Sequence, residues 1–387
     1  MNSMRIWTSG LLALMLVSCT TSGPSPSTAT TRPVTSTPPP TPVVTSFLGN
    51  GVPLPSVCSH RNAKADETVA FAAADHVWTL DPATFDIACV LDSASPEPFL
   101  WGPLGDRVLM GGFQVAGVLK SSPSHAATGV EPAVADWGHP IGIAIVYSGN
   151  KVAKPQKLFL ETGNVETLTD LPAARYLDVA YHPSGLALAF ILERNGSQSI
   201  WFSSNEGKDA KRLVFTEEGT TFTDLSFSPD GGSLEYVAEH AEGYPEFHSI
   251  DLTQPDTLLS RWKGDVGQYV RSFSQAPSGN GLAVNLGKSC NNSVASILDG
   301  AKADHAALPD EDRPTAALGW LDPRTLLVGA GGCNGDPTDL FAVDFHKGSE
   351  SQPLVTGVDA AASRAPAPRA RDSLPKEVEL DTGSGIG

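Results

Sequence analysis

The side chains best able to do chemistry in this 387-residue chain are five cysteines and nine histidines, and their spacing limits what that chemistry can be. Cys58, Cys89, Cys290 and Cys333 contain no Cys-x-x-Cys pair, which argues against a zinc site. An even set of four such cysteines predicts two disulfides in an oxidising compartment. Three pairings are open; Cys58–Cys89 and Cys290–Cys333 are favoured because each pair is near in sequence, and each bridge would contribute about 3.5 to 4 kcal/mol on a chain-entropy reckoning. The histidines are scattered singly with no His-Glu-x-x-His spacing, so each reads as a loop or packing residue. No Gly-x-Ser-x-Gly elbow opens a helix, and Gly383-Ser384-Gly385-Ile386-Gly387 has no chain after it to form one. Asp310-Glu311-Asp312, beside prolines, reads as a solvated loop. The run Asn334-Gly335-Asp336-Pro337-Thr338-Asp339 alternates oxygen side chains as a calcium loop does, but it lacks the closing bidentate acid and reads as an Asx-stabilised turn. No catalytic residue, cofactor or metal ligand is therefore assigned.

The fifth cysteine, Cys19, stands in a different setting. Residues 1–9 carry one basic side chain, Arg5, and no acid, and the apolar run Leu11-Leu12-Ala13-Leu14-Met15-Leu16-Val17 follows. These are the n-region and h-region of a signal peptide, and the run is far short of the ~20 residues a membrane-spanning helix needs. Leu16-Val17-Ser18-Cys19 resembles the lipobox of bacterial lipoproteins. That resemblance implies cleavage after residue 18, a diacylglyceryl group on the Cys19 thiol and a fatty acid such as palmitate on the new amino group. Two or three acyl chains on one residue make a stable anchor where a single chain does not. The expected location is a membrane surface on the extracytoplasmic side, the outer leaflet of the plasma membrane or an outer membrane. Residues 19–46 are rich in Thr, Ser and Pro, cannot bury a core, and form a disordered tether that could reach on the order of 80 Å if fully extended. Residues 360–387 are Ala/Pro/Arg-rich and then acidic, and read as a disordered tail. The folded part is expected at 47–359.

Composition bounds that folded part. Hydrophobic residues make up 41% of the chain, ample for a core, and the formal net charge of -17 removes nucleic acid as a partner, because phosphate neutralisation needs a basic surface.

A repeat sets the fold. Leu225-Ser226-Phe227-Ser228-Pro229-Asp230-Gly231-Gly232-Ser233-Leu234 and Val179-Ala180-Tyr181-His182-Pro183-Ser184-Gly185-Leu186-Ala187-Leu188 both read as strand, Pro/Gly turn, strand. Degenerate copies centre on Trp101, Trp137, Phe273 and Trp320. Successive turn prolines at 103, 140, 183, 229, 277 and 323 lie 37, 43, 46, 48 and 46 residues apart. That is the length of one four-stranded propeller blade, and no long 3.6-residue apolar period suggests helix. A first unit around 68–92 lacks the proline turn. The expectation is an all-β propeller of seven blades, or six if the first and last segments together make a single closing blade. The turn aromatics are expected to pack blade against blade.

The Phe227-Ser228-Pro229-Asp230-Gly231 turn and its siblings resemble the repeat of TolB-type β-propellers, which also occurs in propellers of prolyl-oligopeptidase-like proteins. The resemblance implies a non-catalytic binding or scaffold role towards an envelope protein, a peptide or a glycan. The alternative is an envelope hydrolase or lyase with its site at the mouth of the channel. Convergent acids or histidines there would favour the enzyme, and an apolar or tyrosine-rich face the binder. Leu80-Asp81-Pro82-Ala83-Thr84 resembles one fragment of quinoprotein repeats, but it occurs once and lacks the tryptophan those repeats carry.

Overall fold

A computed structural model describes residues 46–364, apart from 93–99, 103–105, 111–113, 118–124, 127–132, 139–143, 216–218, 255–257, 279–280, 300–301, 307, 309–311, 334–336 and 346–349. The expected signal peptide, Cys19 with its lipid, nearly all of the tether and the tail beyond 364 lie outside the described residues. So do Pro103, Pro140, Asp310, Glu311 and the Asn334-Gly335-Asp336 run.

The described strands form seven four-stranded antiparallel sheets, the blades of a β-propeller. Blade 1 holds β1 (Val69–Ala73), β2 (His76–Leu80) and β3 (Ile87–Asp92). Blade 2 holds β4 (Leu100–Trp101), β5 (Arg107–Met110), β6 (Gln114–Gly117) and β7 (His125–Ala126). Blade 3 runs through β8 (Val134–Trp137), β9 (Ala144–Ser148), β10 (Gln156–Phe159) and β11 (Val165–Thr167). Blade 4 follows with β12 (Arg175–Tyr181), β13 (Ala187–Arg194), β14 (Ser197–Ser204) and β15 (Lys211–Phe215). Blade 5 is β16 (Thr221–Phe227), β17 (Ser233–Glu239), β18 (Pro245–Asp251) and β19 (Leu258–Lys263). Blade 6 is β20 (Val270–Gln275), β21 (Leu282–Leu286), β22 (Val294–Asp299) and β23 (Lys302–His305). Blade 7 is β24 (Thr315–Trp320), β25 (Thr325–Gly331), β26 (Thr338–Asp344) and β27 (Glu350–Val358).

The fourth strand of blade 1 is β28 (Ala360–Ser363), which pairs antiparallel with β1 and brings the two ends of the described chain into one sheet. The folded part thus extends beyond residue 359, the end expected from the sequence. The chain continues as strand because ring closure removes a sheet edge, a tertiary gain that outweighs the poor strand propensity of Ala-Ala-Ala-Ser. The same closure explains the missing proline turn of the first unit. Its inner strand arrives from the far end of the chain, so no hairpin turn precedes β1.

Seven apolar clusters fill the interfaces between adjacent blades. Phe227, Leu234 and Tyr236 meet Ala189, Ile200 and Phe202 between blades 4 and 5, for example, and Leu327 and Leu340 meet Phe71 and Trp78 between blades 7 and 1. Others join Val77 to Val108, Leu109 to Trp137, Val146 to Tyr176, Val237 to Phe273, and Ala283 to Trp320. Because both faces of each sheet are covered, central strands such as β1 and β13 are buried almost throughout, with no in–out alternation. Trp137, Tyr181, Phe227, Phe273 and Trp320 are all buried. Trp320 donates Nε1–H to Ser274 O of the preceding blade at 3.0 Å, so the turn aromatics do pack between blades.

The Ser228–Gly232 turn shows why its residues are chosen. Ser228 Oγ donates to Asp230 Oδ1 (2.8 Å), the same carboxylate oxygen accepts Gly232 N–H (2.9 Å), and Gly231 supplies φ +73°. Gly231 also admits a neighbour. His182 Nδ1 accepts Ser184 N–H at 3.1 Å, so Nε2 carries the proton and donates to Gly231 O at 2.9 Å, tying the turn of blade 4 to that of blade 5. Burial lowers the pKa of His182, which favours this neutral form.

Cys58 is bonded to Cys89 and Cys290 to Cys333. The first bridge holds the entering segment against β3, where His60 forms a parallel bridge with Cys89 and Arg61 N–H donates to Cys89 O. Upstream, Leu48 bridges Val355 of β27, and Ser46 Oγ donates to Gly357 O. This segment therefore spans the seam between blades 7 and 1 and covers two outer strands that would otherwise offer unpaired edges. The second bridge joins the turn after β21 to the turn after β25, clamping blades 6 and 7.

Candidate functional site

The inner strands carry buried acids. Successive inner strands β8, β12, β16, β20, β24 and β28 contact one another around the ring. Asp136 on β8 accepts N–H from Trp137 and, across the blade boundary, from Tyr181, both at 2.7 Å. Asp178 on β12 repeats the device with Val179 (2.8 Å) and Leu225 of blade 5 (2.6 Å). Asp224 on β16, at a bulge with φ +51°, accepts Phe273 N–H of blade 6. One step further Asn285 takes over, accepting Ala317 N–H at 2.6 Å while its amide donates to Ser272 Oγ and Ala317 O.

Burial pushes Asp136 up to about 6 and Asp224 up to about 7. Asp178 stands well above the usual carboxylate range through burial first and then the charges of Asp224 and Asp136. Raised acids near a channel are the pattern of catalytic sites. Here, though, each acid is engaged by backbone amides, one of them from the next blade, so the three side chains fasten blade to blade. A sequence signal for them existed: an acid three residues before the turn aromatic in Asp178/Tyr181 and Asp224/Phe227, and adjacent to it in Asp136/Trp137.

A second arrangement lies at one end of blades 5 and 6. In an antiparallel four-stranded blade, the turn between strands two and three and the link from strand four to the next blade leave from the same end. The residues 240–244, the 264–269 link and the Cys290 turn accordingly share that end. Backbone bonds hold them together, Gly267 N–H to Gly243 O at 2.6 Å and Gly287 N–H to Tyr269 O at 2.8 Å. Val266 there is 76% exposed, and Val294 adds a smaller apolar surface. Tyr244 lies under Lys263 Nζ (3.8 Å to the ring centroid) and Tyr269 under Lys288 Nζ (4.7 Å). That end thus carries the exposed Val266 and two half-buried tyrosines under ammonium groups, with the exposed acids Glu242 and Asp265 in the same turns.

Two groups of metal-ligating side chains come together among the described residues. In the first, Cys58 and Cys89 are bonded to each other, which leaves His76 and Asp92 at 3.1 Å, with His60 on the other side of Asp92 at 3.0 Å. The second, His240, Glu246 and His248, was missed by reading the histidines one at a time. The signal was Glu-x-His on a strand with a histidine just before the preceding turn, and it becomes legible only when the hairpin is placed. The oxygen-rich run proposed as an Asx turn keeps Asp339 inside the described residues. Its carboxylate pairs with Arg313 at 2.6 Å and accepts Gly357 N–H at 3.0 Å. Asp81 forms an Asx turn, accepting Ala83 N–H at 2.8 Å and the Thr84 hydroxyl at 2.6 Å.

No protein-family model and no curated protein matches the sequence. Solved structures do resemble the fold. A prolyl endopeptidase aligns at 13% identity and TM-score 0.56, over 79% of this chain and 50% of its own. An oligogalacturonate lyase in complex with manganese aligns at 11% and 0.51, over 77% and 88%. TolB from Acinetobacter baumannii aligns at 13% and 0.47, over 78% and 68%. The chain spans about half the length of the endopeptidase. The likenesses to the endopeptidase and the lyase are of fold alone, and agree with the four-stranded propeller blades described above. Among the described residues no helix is long and apolar enough to cross a membrane.

Proposed function

We propose that this chain is a lipoprotein anchored through Cys19 on the extracytoplasmic side of a membrane, whose propeller is a non-catalytic binding module. The observation that favours binding over catalysis is the end of blades 5 and 6, where Val266 is exposed and the rings of Tyr244 and Tyr269 lie under Lys263 and Lys288. Aromatic and apolar side chains give contact area at low entropic cost, and the ammonium groups add charge selection. The inner acids supply the converse argument, since their oxygens are engaged by backbone amides. Two disulfides fit an oxidising compartment. An envelope protein, an envelope peptide or a glycan is the expected partner class.

The test is a photo-crosslinking residue at position 266 in intact cells, with position 186, in the turn at the opposite end of blade 4, as control. Capture of one identified envelope component from 266 and not from 186 is expected. Equal capture at both positions, with turnover of a small substrate by the purified protein, would overturn the reading.

A further inference from the structure

The hairpin of β17 and β18 places three metal-ligating side chains on one face. Tyr236 pairs with His248 and Ala238 with Glu246 in the register, and His240 continues the row opposite Tyr244, to whose carbonyl it donates its N–H. Alternation on a strand puts Glu246 and His248 on the same side, and residues 236, 238 and 240 face with them. Ala238, small and central, leaves the space into which the three side chains converge. Glu246 Oε2 lies 3.2 Å from His240 Nε2 and 3.9 Å from His248 Nε2, and one donor atom from each of the three falls within 4.8 Å of the others. A zinc ion holds nitrogen and oxygen ligands at about 2.0 to 2.2 Å, so tetrahedral donors stand about 3.4 Å apart. The two spacings to Glu246 straddle that value.

The imidazoles are held by aromatic neighbours. His240 stacks on Tyr244 (centroids 4.6 Å, 19°) and His248 on Tyr236 (5.2 Å, 30°). Side-chain exposure falls from 24% at His240 to 17% at Glu246 and 9% at His248, so the group is sheltered yet open from the His240 side.

We propose that His240, Glu246 and His248 form a three-ligand site for a borderline divalent cation, zinc in the first place, with its fourth position facing solvent. Two imidazoles and a carboxylate are donors that suit zinc, and three protein ligands with an open position define an exchangeable site rather than a closed structural one. The proposal stands whether or not the neighbouring face docks a partner.

The experiment titrates zinc chloride into the metal-stripped full chain in detergent, in competition with a chromophoric chelator, and repeats it with cobalt(II) to read ligand-field bands. One zinc per chain is expected, with a rise in melting temperature. His240→Ala and Glu246→Gln should each weaken binding by at least about 100-fold, beyond the loss typical of an outer-shell partner, and abolish the cobalt bands. His60→Ala, outside the group, should bind as wild type does. His240 is the most exposed ligand, so its variant decides the matter if His248→Ala does not fold. Absence of stoichiometric binding by the folded wild type, or equal affinity in His240→Ala and Glu246→Gln, overturns the proposal.

Discussion

Replacing Asp136 by Asn separates the two forces acting on the inner acids. The carboxyl group is buried and accepts N–H from Trp137 and Tyr181, which favours the ionised form, while burial favours the protonated one and prevails, raising the group from 3.8 to about 6. Between those values the folded chain holds a proton that the unfolded chain has released. Stability from this group is therefore full near the unfolded value and below it, falls as pH rises, and levels off above the folded value. A shift of about two units at 1.36 kcal/mol each amounts to a loss of about 3 kcal/mol. Asp136→Asn does not titrate, and its amide leaves one buried N–H without an acceptor, a cost of about 1 to 3 kcal/mol at every pH. Guanidinium unfolding of both proteins should then show wild type ahead by about 2.5 kcal/mol more at about pH 4 than at about pH 7.5. A gap that stays constant, or widens towards neutral pH, would mean that the amides rather than burial control the carboxylate.

Three further outcomes follow from the packing. Gly231→Ala places a Cβ 2.5 Å from His182 Nε2 at φ +73°, and thermal denaturation should show a loss of about 1 to 3 kcal/mol; an unchanged midpoint would refute the blade 4 to blade 5 link. Deleting residues from 360 onward removes β28 and leaves the edge of β1 unpaired, so size-exclusion chromatography should show aggregation, and a monodisperse, cooperatively unfolding product would contradict ring closure by that strand. Cys290→Ser with Cys333→Ser should lower stability by about 4 kcal/mol, and reducing the wild type should remove at least as much; a midpoint insensitive to both would show that the bridge is dispensable.

The sequence made the blade legible because its turns are written in residues with few other uses: Ser228-Pro229-Asp230-Gly231 and its degenerate siblings recur at the length of four strands. The favoured cysteine pairing came from nearness in sequence, and the structure sets Cys290 and Cys333 in matching turns of neighbouring blades. Closure was not legible. Ala360-Ala361-Ala362-Ser363 has the composition of a tail, and what makes it a strand is the open edge of β1 some 290 residues away. The inner acids and the His240/Glu246/His248 group were obscure for a related reason. Asp136 reaches Tyr181 across 45 positions, and the ligand-type residues converge only when Ala238 is set opposite Glu246. Neither relation is periodic, and each depends on a register fixed by packing.

The proposed lipid on Cys19 would turn a disulfide-bridged propeller into a module displayed at a membrane surface. Metabolic labelling of growing cells with a fatty acid, compared between wild type and Cys19→Ala, tests it most directly. Label should enter the wild-type chain and be lost in the variant, with the unlabelled chain leaving the membrane fraction. Equal labelling of the two, or an unlabelled wild type, would contradict the anchor and leave a propeller that is merely secreted.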